Sequence, residues 1–173
     1  MNAVLLKVPQ QLSDPYFYTE DEVLVSTGHY LEERHFFAYE MLYFRGKEIV
    51  DPPWDDRYSA VKDVIAAWNE VQEVLDERFK SRDKSVQLHM KKGVALFYML
   101  LFWSNSVPVV LREWQQQLEM LSLKPVNAEE RIAFIRQNPK LYQSFVQLKE
   151  LFQEQHKQTA KDMAISKLKK NKK

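Results

Sequence analysis

From Val94 to Trp103 ten successive residues are apolar, whereas the flanking segments space their apolar residues at intervals of three and four. Ten residues make about 15 Å of helix at ~1.5 Å per residue, short of the ~20 residues a bilayer span needs. The pattern therefore predicts a central core helix over about 86–104, apolar on every side and surrounded by helices that each offer one apolar stripe. The clearest of these runs from Asp56 to Lys80, with Val61, Val64, Ile65, Trp68, Val71, Leu75 and Phe79 on one face and acids and lysines on the other. After the turn Ser104-Asn105-Ser106, Pro108 suits the first turn of a helix carrying Leu111, Trp114, Leu118 and Leu121. Asn127 with Glu130 reads as a capping box for a short helix through Ile132 and Ile135. Asn138-Pro139 then restarts the chain as a final helix with Leu141, Phe145, Leu148 and Phe152 inward. Beyond Phe152 the stripe vanishes, and the helix is expected to project or fray there.

Toward the N-terminus, Thr19 with Glu22 reads as a capping box opening a short helix that ends near Thr27-Gly28. Tyr30 to Phe44 follows as a second, aromatic helix closed by Gly46. Gly46 and Asp51-Pro52-Pro53 make residues 45–57 a loop, pinned by Trp54, with Asp55 or Asp56 capping the next helix. The predicted architecture is all-α: a single-domain bundle of about six to seven helices. Its domain covers residues 1–166, with residues 1–18 packed on it or trailing from it, and residues 167–173 form a lysine-rich tail. At 173 residues the chain can bury roughly 70% of its unfolded surface without staples.

Charge refines this picture. The whole chain is +1 and its last seven residues, KLKKNKK, contribute five lysines, so the other 166 residues carry −4. Lys167, Lys169, Lys170, Lys172 and Lys173 form an electrostatic tail that complements a helix C-terminus and offers weak, non-specific contact to nucleic acid. Cysteine is absent, which removes disulfides, thiolate metal sites and cysteine nucleophiles. The opening MNAVLLKVPQQL has no basic n-region and too short an apolar run for a signal peptide, so a cytoplasmic protein is expected.

Candidate chemistry is sparse. Glu32-x-x-His35 has the spacing used twice in di-iron bundles, but His89 and His156 lack the matching glutamate, so no metal is assigned. His29 with Glu33, and Glu32 with His35, suit helical surface pairs instead. No nucleophile elbow, zinc-peptidase motif or phosphate-cradling glycine loop is present. The reading is a non-enzymatic protein with no catalytic residues and no cofactor, whose partner is another protein or a second copy of itself. Its candidate partner surface is the aromatic set Tyr30, Phe36, Phe37, Tyr39, Tyr43 and Phe44, which spreads over too much of a helix circumference for one core-facing stripe.

The loop Asp-Pro-Pro-Trp-Asp (Asp51 to Asp55) and the block LFYMLLFWSNSVP (Leu96 to Pro108) resemble the YpoC-like proteins of Bacillus-type bacteria, over a stretch from about Tyr30 to Phe152. The resemblance implies a small helical bacterial protein and carries no functional residues over to this chain.

Overall fold

The computed structural model describes residues 3–26, 28, 31 and 36–172. Among them are two strands, β1 (Val4–Lys7) and β2 (Glu22–Val25), and six helices. The helices are α1 (Ala38–Phe44), α2 (Arg57–Lys80), α3 (Gln87–Ser104), α4 (Trp114–Glu119), α5 (Ala128–Gln137) and α6 (Tyr142–Asn171). Helix α3 is the predicted central helix: every residue from Gly93 to Ser104 is buried. Helices α2 and α6 pack along it and on each other, and α5 closes the bundle against α6.

The close approach of the three long helices depends on Gly93. A Cβ there would lie 2.8 Å from Leu148 Cδ2 and 2.9 Å from Trp68 Cζ3. In the space left by the missing side chain, Trp68 of α2 stacks on Phe152 of α6 with ring centroids 4.1 Å apart and planes 3° from parallel, while Phe97 meets the same Phe152 edge-on at 5.3 Å. Helix α2 begins where the sequence places it, because the Asp56 carboxylate accepts from the Ser59 N–H at 3.2 Å. Trp54 is buried beneath the 3₁₀ turn Pro53–Asp55 and pins the preceding loop to the bundle.

Four predicted elements differ. The helix expected after Thr19 is instead strand β2, paired antiparallel with β1 in the register Val4↔Val25, Leu5↔Leu24, Leu6↔Val23 and Lys7↔Glu22. The aromatic helix starts only at Ala38, since Phe37 has φ 61° and a left-handed residue cannot continue an α-helix into α1. Likewise Glu113 at φ 52° confines α4 to Trp114–Glu119, leaving residues 107–113 non-helical. The Leu111 and Arg112 N–H groups both donate to the Gln11 carbonyl, at 2.9 and 3.1 Å, tying that segment to the N-terminal region. Asn127 precedes α5 as expected but is itself left-handed and makes no side-chain cap.

The fourth difference is α6, which continues as a helix to Asn171 and stays packed beyond Phe152, through Gln155 and Thr159, where projection or fraying is expected. Its buried face changes chemistry there, from apolar residues to Gln155 and Thr159. Gln155 Nε2 donates to Ser104 Oγ at 2.7 Å and to the Leu123 carbonyl at 3.1 Å. One turn further, Arg57 pairs with Asp162 at 2.7 Å and donates to the Ser104 carbonyl at 3.2 Å. Polar contacts thus hold α6 where no apolar stripe exists.

Candidate interaction surface

The residues of the predicted aromatic surface have different surroundings. Tyr30, like His29, Glu32, Glu33 and His35, lies outside the described residues. Phe36 and Phe37 are core residues, Phe37 only 1% exposed, and are withdrawn from any partner surface. The cause is the N-terminal segment: Phe17 packs edge-on against Phe37 at 5.2 Å and against Tyr98 of α3 at 5.9 Å. Tyr39 and Phe44 are half-buried, and Tyr43, 49% exposed, leans edge-on against Trp54 at 5.4 Å. Lys167, Lys169, Lys170 and Lys172 are exposed along the last turns of α6, and Lys173 lies outside the described residues.

An apolar surface exists elsewhere, on the small sheet. Strand side chains alternate between faces, so Leu6 and Val25 point into the core while Leu5 and Leu24 point out. Leu5 and Leu24 are directly opposite each other, 58% and 60% exposed, with the exposed Lys7 and Glu22 beside them on the same face. Among the described residues the sheet has two strands only, so each keeps one edge of unpaired backbone donors and acceptors. Sequence reading missed this pair because VLLK and EVLV are each four residues long and find each other across a 14-residue connection. The β-branched, alternating EVLV was the available signal.

A two-stranded sheet is marginal alone and needs an anchor. The anchor is an ion pair between a buried aspartate and a partly buried arginine. Arg136 of α5 donates from Nη2 to Asp14 Oδ1 at 2.8 Å and from Nη1 to Oδ2 at 2.9 Å, and its Nη1 also donates to the Tyr98 hydroxyl at 2.9 Å. Its guanidinium lies 4.6 Å from the Tyr16 ring and 5.3 Å from the Trp114 ring. Asp14 Oδ1 also accepts from the Tyr16 N–H at 3.0 Å, fixing the turn between the strands. Burial raises the phenols around this pair, Tyr16 to about 12 and Tyr98 likewise upward, so both stay protonated.

A second buried polar group lies where α1 meets α3. Glu40 is fully buried, and its Oε2 accepts from Trp103 Nε1 at 2.7 Å and from the Val109 N–H at 2.9 Å. Its Oε1 has no hydrogen-bond partner among the described residues. Burial pushes the Glu40 carboxyl up from 4.5 to about 7, with the two donated hydrogen bonds opposing the shift. Its partners are an indole and a backbone amide, neither a nucleophile nor a proton acceptor. Among the described residues no group of three or more His, Asp or Glu side chains gathers in a metal-binding arrangement. No helix among them is long and apolar enough to cross a membrane.

These features define a helical domain with a small, apolar-faced sheet clamped to its side. The family model for YpoC-like proteins matches residues 58–167, and the chain belongs to that family. It is 32% identical over 118 residues to the "Uncharacterized protein YpoC" of Bacillus subtilis (strain 168), an alignment covering 67% of this chain and 72% of that protein. No solved structure matches. The family match contains α2 to most of α6. It leaves β1, β2, α1 and the Asp51 to Asp55 loop outside.

Proposed function

We propose that this protein is a non-enzymatic, cytoplasmic interaction module that docks an extended apolar segment of another protein on the β1–β2 sheet. The observation that carries this reading is the Leu5–Leu24 pair: two large apolar side chains, opposite each other and more than half exposed, on a sheet with open edges. A partner strand added to such an edge gains main-chain hydrogen bonds, and the leucine pair selects apolar side chains on its facing positions. The Asp14–Arg136 clamp supports the same reading, since it holds the sheet rigid and spares the partner the cost of ordering it. The experiment is site-specific photo-crosslinking in native cells, with a photoreactive phenylalanine analogue at position 24 and, as control, at the exposed Val50. A discrete adduct from position 24 and none from position 50 is expected. An adduct with a second copy of the chain replaces the partner by self-association.

A second reading is favoured by the lysines at the end of α6, exposed and without acids among them. They suit non-specific contact to nucleic-acid phosphates, with affinity that falls steeply with salt. Truncation after Ser166 abolishes binding if this tail alone carries it.

A further inference from the structure

The turn between α2 and α3 faces the turn between α5 and α6 across a cleft of ≈ 550 Å³, within the usual range for small-molecule sites. Phe79, Val86 and Tyr142 supply its apolar wall. Arg82 and Lys84 stand on one side and Lys140 on the other, with Asp83 as the one acid in the lining.

That acid is already committed. Asp83 Oδ1 accepts from Ser85 Oγ at 2.6 Å and from the Ser85 N–H at 2.9 Å, which closes the turn after α2. Those bonds, with the charge of Arg78, hold its carboxyl below the ordinary range. Arg82 has φ 58° and donates its N–H to the Phe79 carbonyl, so the chain reverses there. Arg82, Lys84 and Lys140 are exposed, and no ion pair or side-chain hydrogen bond engages them among the described residues. Three uncommitted cations around one concavity, in a domain that is −4 without its tail, make a local positive focus.

The wall adds a second requirement. Tyr142 is 57% exposed, yet its ring is pinned edge-on to Phe79 at 5.6 Å and to Phe145 at 6.2 Å. A bare anion or an acidic peptide would satisfy the cations and leave this aromatic wall unused. A flat aromatic group attached to a phosphate uses both. We propose that the cleft binds a nucleotide unit, free or within a single strand, with its phosphate held between Arg82, Lys84 and Lys140 and its base against Tyr142.

The test uses the full chain, a fluorescein-labelled oligo(dT) followed by anisotropy, and ADP followed by calorimetry, with inorganic phosphate and a polyglutamate peptide as competitors. R82Q/K84Q/K140Q is expected to weaken oligonucleotide binding more than tenfold, and Y142A on the order of tenfold, whereas Y142F retains it. L5K/L24K, which removes the sheet surface, and truncation after Ser166 are both expected to leave cleft binding in place, which separates this site from both readings above. Binding of ADP in competition with the oligonucleotide assigns the free nucleotide; binding of the oligonucleotide alone assigns the single strand. The proposal is overturned if wild-type protein binds neither ligand at low salt, or if the triple variant binds as well as wild type. It is equally overturned if truncation abolishes binding, if Y142A has no effect, or if polyglutamate competes as well as the oligonucleotide. Melting curves of each variant confirm that a loss of binding is not a loss of fold.

Discussion

Arg136 and Asp14 are 122 residues apart in sequence and form a two-pronged ion pair, with both carboxylate oxygens 2.8–2.9 Å from the guanidinium. This contact joins α5 to the turn between β1 and β2, so the docking surface depends on it. Asp14→Ala leaves a guanidinium between the Tyr16 and Trp114 rings without its counter-charge. A loss of about 2 kcal/mol is expected in urea unfolding, because removing one partner strands a charge, and the partial exposure of Arg136 keeps the cost below that of a fully buried pair. Hydrogen exchange of the β1 and β2 amides should accelerate more than that of α3.

Glu40 makes stability depend on pH in a defined direction. Its folded-state value of about 7 lies above the ordinary 4.5, so the fold favours the protonated acid. The contribution is fully present below about 4.5 and is lost as pH rises to about 7, a change of about 3 kcal/mol at ~1.4 kcal/mol per unit. Glu40→Gln keeps an oxygen for Trp103 and Val109 and cannot ionise. Urea unfolding across this window should show the wild type losing stability relative to E40Q as pH rises, with the two curves running parallel above it.

Gly93→Ala sets helix propensity against packing. The substitution gains up to about 1 kcal/mol of propensity. It also drives a methyl group to within 3 Å of Trp68 and Leu148, and overpacking of this kind costs about 1–3 kcal/mol. Net destabilisation is expected, read as a lowered urea midpoint. At Gly28, where the nearest atom to an added Cβ is 3.7 Å away, the same change should leave the midpoint unmoved.

The two parts of α6 beyond Phe152 should behave differently. Gln155→Ala removes the donor to Ser104 and Leu123 and should cost about 1–3 kcal/mol. The described residues that truncation after Ser166 removes, 167–172, are all exposed, and its effect on the unfolding midpoint should be about zero.

What the sequence made legible follows from how local each signal is. Helices α2 and α3 are long and strongly patterned, and they begin and end within a residue or two of their predicted bounds. Strands β1 and β2 are four residues each and stable only as a pair against the bundle, so the local Thr19–Glu22 signal pointed to a helix that the tertiary pairing overrides. Phe36 and Phe37 looked surplus to one helical stripe, but Phe37 lies before the helix, not on it, and Phe17 brings a ring that packs on it. Gln155 and Thr159 carry no apolar signature, which hid the continuation of α6. The cations at Arg82, Lys84 and Lys140 come from two turns that only the fold brings together.

The central claim is that the outer face of the sheet is where a partner binds, and the most direct measurement compares partner recovery by the full chain and by L5K/L24K from native lysate. Both leucines point away from the core, so the variant should keep the wild-type melting temperature. The account predicts that a partner crosslinked at position 24 is recovered by the wild type, survives nuclease and truncation after Ser166, and is lost by at least tenfold in L5K/L24K. Equal recovery of that partner by a folded L5K/L24K would contradict it.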